Sequence, residues 1–419
     1  MCPQITVSPF NYYGQIEVPR SKSYLQRAIA IATLIPAETT IHGFTASNDA
    51  LVALGIAKSF DAKYSILNDT VKIQGISGDS IDKLEIFCGE AGLSTRMFSP
   101  IASVLSKNVI VNGEGSILER PMDMVIDGLQ QLGAKVDSNK QKLPLRIQGG
   151  INAGDITIDG SESSQFLTGL LIGLSFLPEP SRIQALNLKS VPYVQMTLDV
   201  LNAFQISVER KKNDTFVTKP KKRDFKSEYT YQVEGDWSGA SFHIVGASIS
   251  GEIELIGLNL ASSQADVKIL EAIQQAGATI EHDQNNCLKI KKGQLNAFQF
   301  DSTDCPDLFP PLAALAAACH GTSEITGTKR LLHKESNRAV TIKEELGKLG
   351  ITVILGENTM TIRGGQIEGG TVSSRNDHRI AMMAGILASC SKNAITINNS
   401  DAVNKSYPDF FKDLQNMKD

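Results

Sequence analysis

Basic side chains suited to binding phosphate and carboxylate groups occur along the whole chain, at or near predicted helix starts. Arginine presents a planar guanidinium that donates two parallel hydrogen bonds to such anions, and lysine presents a compact positive charge. Each residue alone reads as a surface cation, but together they suggest a cleft for at least two anionic ligands. The residues are Lys22, Arg27, Arg96, Arg120, Lys334, Arg338, Arg379 and Lys405.

Six segments that open predicted apolar helices contain small or helix-capping residues. Ser, Asp, Asn and Gly can satisfy the free amide groups of a first helical turn, and simple capping explains any one segment by itself. A helix N-terminus also carries about half a positive charge, so a group of them pointing the same way forms an anion site. The segments are residues 21–23, 89–92, 161–165, 236–239, 304–307 and 376–379.

These segments belong to a repeat with a period of about 72 residues. Five amphipathic helices end with the same three-residue phrase, in which a turn-permitting residue stands between two apolar or small residues. A β-like segment and then a short alternating strand follow each phrase, and a sixth helix is predicted at 410–417. The pattern therefore predicts six helix-and-strand units in two groups of three. The phrases are centred on Asp61, Gly133, Gln205, Gly277 and Gly350.

Length and charge limit the possible classes of protein. A chain of 419 residues favours two or three domains. A net charge of −4 argues against nucleic acid or an anionic membrane as a partner. A Lys-rich run at 218–226 marks one boundary between the halves, and the other is expected near 18–19. We expect domain 1 to contain residues 1–18 and 233–419, and domain 2 to contain residues 19–232.

The remaining composition favours a cytoplasmic protein that needs no metal. The first residues do not form a signal peptide, and no apolar run approaches the length of a membrane span. The six cysteines contain no Cys-x-x-Cys pair and no zinc-like spacing to histidine, so we interpret them as buried small hydrophobic residues or free thiols in a reducing compartment. No metal and no organic cofactor are expected.

Several motifs, in order along essentially the whole chain, resemble those of the 5-enolpyruvylshikimate-3-phosphate synthase family. The resemblance implies an α/β (α+β) fold of two domains, the inverse α/β barrel of enolpyruvyl transferases. Each domain would hold three βαβαββ-type units, and two crossovers would act as a hinge. The most specific motifs are residues 21–23 with Arg27, the Gly-Ser segment 160–167, residues 233–236, Lys334-Glu335 with Arg338, and residues 376–379.

The resemblance also implies a reaction of the shikimate pathway, which leads to aromatic amino acids. The 5-hydroxyl of shikimate 3-phosphate attacks C2 of phosphoenolpyruvate, C3 is protonated, and phosphate leaves from a tetrahedral intermediate. The implied partners are these two small substrates only, and we expect a monomer.

By the same resemblance, individual residues are expected to have specific roles. Asp307 would take the proton from the attacking hydroxyl, and Glu335 and Lys22 are both candidates for proton transfer at C3. The expected ligands of shikimate 3-phosphate are Lys22, Ser23, Arg27, Ser163, Ser164, Gln165, Ser190, Tyr193, Asp307 and Lys334. The expected ligands of phosphoenolpyruvate are Lys22, Gly92, Arg120, Gln165, Arg338, Arg379 and Lys405.

The sequence departs from the family pattern at a few positions near these ligands. Glu90 adds a negative charge beside a proposed anion site, and Arg330 stands where the family commonly has Asn. Leu93 and Met97 replace the usual Thr and Pro of the phosphoenolpyruvate loop. We expect the last two changes to alter inhibition by glyphosate, which competes with phosphoenolpyruvate in this family.

Two other functions are compatible with a sixfold repeat. The sister enzyme transfers enolpyruvate to UDP-N-acetylglucosamine, but it typically carries a reactive cysteine in a loop near the first quarter of the chain. Cys88, which lies closest to that region, has the context of an apolar strand. A catalytically inactive scaffold would be expected to lose the charged helix openings, and here they are intact.

Overall fold

The computed structural model describes residues 3–77, 81–219, 225–282 and 287–417. Residues 220–224 of the Lys-rich run lie outside these ranges. The chain divides into two compact units: unit 1 is Met1–Ser21 with Glu234–Asp419, and unit 2 is Lys22–Val233. In the described ranges, no helix combines the length and the apolar character needed to cross a membrane.

The strands are short, mostly four or five residues long. They are β1 (Gln4–Val7), β2 (Gln15–Glu17), β3 (Glu38–His42), β4 (Lys63–Leu67), β5 (Thr70–Gln74), β6 (Leu84–Phe87), β7 (Asn108–Asn112), β8 (Lys135–Asn139), β9 (Lys142–Gln148), β10 (Asp155–Asp159), β11 (Arg182–Leu186), β12 (Val208–Lys211), β13 (Thr215–Thr218), β14 (Glu228–Gln232), β15 (Glu252–Ile256), β16 (Thr279–His282), β17 (Leu288–Lys291), β18 (Gln299–Asp301), β19 (Thr322–Thr326), β20 (Thr352–Leu355), β21 (Thr359–Arg363), β22 (Gly370–Ser373) and β23 (Ile395–Asn398).

The α-helices alternate with these strands. They are α1 (Lys22–Leu34), α2 (Asn48–Ser59), α3 (Gly92–Leu105), α4 (Asp123–Gln131), α5 (Gln165–Leu174), α6 (Val191–Ala203), α7 (Trp237–Ser250), α8 (Ile269–Ala276), α9 (Phe309–Ala318), α10 (Arg338–Lys348), α11 (His378–Leu387) and α12 (Phe410–Asn416). Short 3-10 helices include Gly115–Glu119, Pro306–Leu308, Thr328–Leu331 and Ser400–Lys405.

The predicted sixfold repeat is confirmed by the sheets. In a typical unit two parallel strands flank a buried helix, and a second helix leads to an antiparallel hairpin that completes the sheet. The order β6-β7-β9-β8 shows this arrangement, with β6 parallel to β7 and β7 antiparallel to β9. The last unit differs, because β1 pairs antiparallel with β23 in a sheet for which three strands are described.

The recurring phrase is the C-terminal cap of the second helix in each of the first five units. After α2, Asp61 has a φ of 68°, and the amide of Ala62 donates to the carbonyl of Ala57 at 3.1 Å. This is a Schellman motif, in which the residue after the left-handed one is apolar and packs inward. The corresponding inward residues of the later units, each bonded to the carbonyl five positions earlier, are Ala134, Ile206, Ala278 and Ile351.

The first strand of two sheets comes from a distant part of the sequence. Strand β14 pairs in parallel with β3 inside unit 2, and β2 pairs in parallel with β15 inside unit 1. Near the second crossover, the amide of Ser21 donates to the carbonyl of Glu234 at 2.8 Å, and Arg20 forms a bridge with Gly235. The repeat alone predicts units that are each built from one continuous stretch of sequence. It does not predict that β14 and β2 complete sheets formed by distant parts of the chain.

The first helix of each unit forms the core and carries the polar opening at its N-terminus. Helices α1, α3 and α5 of unit 2 and α7, α9 and α11 of unit 1 are almost entirely buried, as expected for helices that are apolar on all sides. In unit 2, α3 and α5 approach closely because Gly169 has no side chain. A Cβ there would lie 2.3 Å from the carbonyl oxygen of Met97. This contact packs the first two turns of α3 and α5 against each other.

Candidate functional site

Arg27 lies at the centre of one group of predicted residues in unit 2. It is 1% exposed, and its hydrogen-bond partners are neutral oxygen atoms. Its Nε donates to Thr197 Oγ1 at 2.9 Å, Nη1 to the Ser23 carbonyl at 2.8 Å and Nη2 to the Tyr193 carbonyl at 3.1 Å. Burial lowers the pKa of Arg27 to about 10, so the side chain stays charged at neutral pH. The structure thus brings Ser23, Arg27 and Tyr193 together.

A second group in unit 2 lies at the N-termini of α3 and α5. Arg120 is buried, and its Nη2 donates to Ser116 Oγ at 3.0 Å. Its Nε has no hydrogen-bond partner among the described residues. Arg96 Nη1 donates to Gln165 Oε1 at 3.3 Å. A Cβ on Gly92 would lie 2.9 Å from Arg120 Nη1 and 3.1 Å from Arg96 Nη1, so glycine lets both guanidinium groups approach the helix start.

The serines at the starts of α5 and α6 add hydroxyl groups to unit 2. Ser163 Oγ accepts a hydrogen bond from the amide of Gln165 at 3.2 Å. Ser164 is buried and precedes α5 without capping it through its side chain. Ser190 precedes α6 in the left-handed region, with a φ of 56°. A non-glycine residue in this region is unusual and indicates a constrained backbone at that helix start.

Lys22 is held by an acidic residue that the sequence analysis did not single out. At the first residue of α1, its Nζ lies 2.8 Å from Oδ2 of Asp49, which stands in the first turn of α2. Buried Gln26 donates from Nε2 to the Asp49 carbonyl at 3.1 Å and to Ser94 Oγ at 3.0 Å. Asp49 thus orients a candidate catalytic lysine. The acidic residue in a predicted first turn was the signal available in the sequence.

Arg338 is the centre of a carboxylate cluster in unit 1. Its side chain is fully buried, and each nitrogen donates to a carboxylate. Nε lies 2.9 Å from Asp377 Oδ2, Nη1 lies 3.1 Å from Asp307 Oδ1, and Nη2 donates to Glu335. Burial alone would lower the pKa of Arg338, but the carboxylates of Asp377, Glu335 and Asp307 outweigh it and raise that pKa. Arg338 is therefore a permanent cation held at the start of α10.

Asp307 in this cluster interacts with further cations. Arg379 Nη2 lies 3.1 Å from its Oδ2, and Lys334 Nζ lies 3.5 Å from its Oδ1. Burial favours the protonated carboxyl, but the charges of Arg379, Lys334 and Arg338 outweigh burial and hold the pKa of Asp307 well below its usual value. The side chain remains 20% exposed. Asp307 is thus an ionised carboxylate that a ligand can reach.

The turn before α11 connects the remaining predicted residues of unit 1. Asp377 caps α11 by accepting from the amide of Arg379 at 3.0 Å. The Nζ of Lys405, at the end of a 3-10 helix, donates to the Asn376 carbonyl at 2.7 Å. Lys405, Arg379 and Arg338 are therefore all tied to the segment at 376–377. The sequence analysis included Asp377 in a motif but gave it no role.

Asp266 is a second residue that the sequence analysis missed. It is 2% exposed, and one carboxylate oxygen accepts from the hydroxyl of Ser238. Its Oδ1 has no hydrogen-bond partner among the described residues. Burial, together with the nearby charge of Asp307, raises the pKa of Asp266 to about 7, while Arg379 opposes the rise. Unit 1 therefore contains two interacting carboxyls whose pKa values are shifted in opposite directions, that of Asp266 upwards and that of Asp307 downwards.

Comparison with known proteins identifies the family. A family model described as EPSP synthase (3-phosphoshikimate 1-carboxyvinyltransferase) matches residues 9–414. The chain belongs to the EPSP synthase family. A protein of Clostridium acetobutylicum named 3-phosphoshikimate 1-carboxyvinyltransferase is 36% identical, over 99% of this chain and 97% of that protein. A protein of the same name from Thermococcus kodakarensis is 32% identical, over 96% of this chain and 97% of its own.

Solved structures of this family and of a related transferase share the fold. The EPSP synthase of Acinetobacter baumannii has a TM-score of 0.79 at 24% identity, covering 99% of this chain and 98% of that one. The enolpyruvyl transferase NikO of Streptomyces tendae has a TM-score of 0.80 at 14% identity, covering 100% of this chain and 98% of that one. These likenesses confirm the fold class predicted from the sequence.

Some positions at which this EPSP synthase family member departs from the expected pattern have local roles. A carboxylate oxygen of Glu90 lies 3.5 Å from the amide nitrogen of Ser116, and the side chain packs over Gly115, whose φ of 60° starts a 3-10 helix. Met97 is buried in α3. Arg330 lies in the 3-10 helix Thr328–Leu331. Glu90 therefore helps to shape the segment that carries Arg120.

Proposed function

We propose that this chain transfers the carboxyvinyl group of phosphoenolpyruvate to the 5-hydroxyl of shikimate 3-phosphate and releases phosphate. It is a transferase of the shikimate pathway, and the reaction proceeds by addition and elimination through a tetrahedral intermediate. The observation that carries the proposal is the Arg338 cluster, in which cations for anionic substrates and carboxylates for proton transfer are packed together. The family match over residues 9–414 supports it.

Unit 2 supplies most of the proposed ligands of shikimate 3-phosphate. Arg27 offers a buried positive charge, and the serines at 163, 164 and 190 offer hydroxyl groups to the sugar-like ring and its phosphate. Hydrogen bonds that involve a charged group are the stronger ones, so Arg27 dominates this part of binding. Lys22, Ser23, Gln165 and Tyr193 complete this part of the set.

Phosphoenolpyruvate requires cations for both its phosphate and its carboxylate. Arg120, with a buried Nε that has no partner among the described residues, and Gly92, which gives it space, are the proposed ligands from unit 2 together with Gln165. Arg338, Arg379 and Lys405 are the proposed ligands from unit 1. Their charges offset the repulsion between the two anionic substrates and stabilise the charge that develops in the transition state.

Asp307 is the proposed base for the attacking hydroxyl. It is ionised because Arg379, Lys334 and Arg338 surround it, and in that state it accepts protons weakly. Substrate anions draw Arg379 and Lys334 towards themselves, which weakens their hold on Asp307 and raises its basicity. Glu335 and Lys22 remain the two candidates for proton transfer at C3. The first is bonded to Arg338 and the second to Asp49.

The environment of the cysteines favours this reaction over that of the sister enzyme. Cys88 is fully buried, and burial raises the pKa of its thiol to about 12. A thiol with such a pKa is protonated at neutral pH and is a poor nucleophile. The proposed acceptor is therefore shikimate 3-phosphate rather than UDP-N-acetylglucosamine.

We further infer that the protein is cytoplasmic and acts as a monomer. Light scattering of the purified chain tests the oligomeric state.

An acceptor assay tests the proposed function. The purified chain is mixed with phosphoenolpyruvate alone, with shikimate 3-phosphate added, or with UDP-N-acetylglucosamine added, and released phosphate and the organic product are measured. We expect phosphate and an enolpyruvyl ether only with shikimate 3-phosphate. Turnover with the nucleotide sugar alone, or with neither acceptor, would contradict the proposal.

A further inference from the structure

The turn that precedes α11 has an unusual backbone. Arg375 and Asn376, two consecutive non-glycine residues, have φ values of 51° and 59°. Left-handed residues of this kind are strained and persist only where the surrounding structure holds them in place. The turn leads directly to Asp377, so an external constraint on it also fixes the start of α11.

Three proposed ligands of phosphoenolpyruvate depend on this turn. Asp377 accepts hydrogen bonds from Arg338 Nε at 2.9 Å and from the amide of Arg379 at 3.0 Å. The carbonyl of Asn376 accepts from Lys405 Nζ at 2.7 Å. A change in the conformation of the turn would therefore shift all three cations.

Glu345 holds the turn from α10. Its carboxylate is 1% exposed. Oε2 accepts from the amide of Ser373 at 2.9 Å, and Oε1 accepts from Arg375 Nε at 3.3 Å. Lys348, one turn further along α10, lies 2.7 Å from Oε2 and compensates the buried charge. A buried carboxylate is stable only with such partners, so Glu345 and the turn residues that donate to it hold each other in place.

The position of Glu345 on α10 connects this contact to the carboxylate cluster. Arg338 is the first residue of α10, and Glu345 is seven residues later, about two turns along the same face. The helix is therefore attached to the 373–377 segment at two points: Arg338 bonds Asp377, and Glu345 bonds Ser373 and Arg375. Two attachments fix the orientation of the segment as well as its distance from the helix.

We propose that Glu345 is a positioning residue for phosphoenolpyruvate binding, which acts through the 373–377 turn on Arg338, Arg379 and Lys405. The inference rests on the proposed function, because it takes these three residues as phosphoenolpyruvate ligands. Glu345 itself touches no substrate. Its removal weakens binding of phosphoenolpyruvate while leaving the ligands of shikimate 3-phosphate in unit 2 unchanged.

The test compares Glu345→Gln with Glu344→Gln. Glutamine keeps the size of Glu345 and an acceptor for the Ser373 amide but removes its ion pairs. Glu344 is the matched control, because it pairs with the same Arg375 at 2.9 Å from a position that is 48% exposed. We expect Glu345→Gln to raise KM for phosphoenolpyruvate about tenfold, as for loss of a charge-assisted buried contact, with KM for shikimate 3-phosphate within about twofold. Glu344→Gln should leave both values within about twofold.

A second variant protects the test against simple misfolding. Arg375→Gln removes the ion pairs of the turn with Glu345 and Glu344 but leaves Lys348 paired with Glu345, so it should shift KM for phosphoenolpyruvate in the same direction by a smaller factor. If Glu345→Gln raises both KM values equally, or leaves KM for phosphoenolpyruvate unchanged, the proposal is overturned. If the wild type shows no turnover, the proposed function fails. Calorimetric titration with phosphoenolpyruvate then still compares the Glu345 and Glu344 variants.

Discussion

The arginines proposed as substrate ligands differ between the two units in the partners that hold them. In unit 2, Arg27 and Arg120 donate to hydroxyl and carbonyl oxygens, and no carboxylate of the described residues is among their hydrogen-bond partners. In unit 1, Arg338 donates to three carboxylates, and Arg379 and Lys334 both lie beside Asp307. Neutral partners orient a cation but leave its charge available to a ligand. Carboxylate partners neutralise it until a substrate anion competes.

This contrast suggests that unit 2 mainly binds shikimate 3-phosphate and that a carboxylate of unit 1 takes the proton of its hydroxyl group. Unit 2 presents uncompensated charge for an anion, whereas unit 1 presents carboxylates whose proton affinity depends on the cations around them. Among the proposed ligands of unit 2, Lys22 differs from Arg27 and Arg120, because Asp49 pairs with it as the carboxylates of unit 1 pair with their cations. That similarity agrees with its place among the candidates for proton transfer.

The largest effect is expected from Asp307→Asn, which removes the proposed base of unit 1. The amide has nearly the same shape and accepts a hydrogen bond but not a proton. Loss of a general base typically costs about 10²–10⁴ in rate, so kcat should fall by that factor. Steady-state kinetics with both substrates measures it. A kcat within about threefold of the wild type would mean that Asp307 is not the base, and the proposed difference between the two units would then be wrong.

A substitution in unit 2 should instead change binding. Arg27→Gln removes a buried cation, and we expect KM for shikimate 3-phosphate to rise about 10- to 100-fold, with a smaller change in kcat. The exposed Arg146→Gln, also in unit 2, is the control for loss of one positive charge and should have little effect. A fall in kcat as large as that of Asp307→Asn, with KM unchanged, would contradict the assignment of unit 2 to binding.

The raised pKa of Asp266 in unit 1 can be tested through the dependence of stability on pH. An unfolded Asp loses its proton near pH 4, whereas burial and the charge of Asp307 keep folded Asp266 protonated up to about pH 7. The folded state therefore binds more protons in this window, and this residue lowers the free energy of unfolding as pH rises, by up to about 1.4 kcal/mol per pH unit.

Asp266→Asn should remove that slope while keeping the contact with Ser238. Denaturant unfolding at pH 4.5, 5.5 and 6.5, estimated to span the window, measures the difference between wild type and variant. The wild type should lose stability relative to the variant as pH rises. A constant difference would mean that Asp266 is ionised throughout, and that the two carboxyls of unit 1 do not differ in pKa as described.

The smallest effect is expected from Glu90→Gln in unit 2. An oxygen of the Glu90 side chain faces the amide of Ser116 beside the Arg120 segment, and glutamine supplies an equivalent oxygen there. KM for phosphoenolpyruvate should therefore change by less than about twofold. If it instead falls about fivefold or more, Glu90 repels the substrate, and unit 2 does not present uncompensated charge as the contrast requires.

The repeat and its helix ends were predictable because they depend on local sequence. The phrases around Asp61 and Gly133 are helix caps that neighbouring residues determine, and the openings such as 376–379 are likewise local. The pairing of Lys22 with Asp49 and of Glu345 with Arg375 joins residues 27 and 30 positions apart. Such pairs depend on how side chains meet after the sheets form, which periodicity does not specify.

The raised pKa of Asp266 could not be predicted from the sequence for the same reason. In the sequence it is one of many acidic residues near a helix start, and nothing local distinguishes it from Asp304. Its raised pKa comes from burial and from Asp307, which lies 41 residues later in the sequence. The roles that the resemblance implied for the site residues remain predictions, and the kinetic variants above test them.

Titration calorimetry of shikimate 3-phosphate into Asp307→Asn and Arg27→Gln compares the two units most directly. Asparagine keeps a hydrogen-bonding oxygen at this expected ligand position, so we expect Asp307→Asn to bind the ligand within about threefold of the wild type although its turnover is nearly abolished. We expect Arg27→Gln to bind it at least about tenfold more weakly. Equal loss of affinity in the two variants would contradict the assignment of shikimate 3-phosphate binding mainly to unit 2 and of its proton acceptor to unit 1.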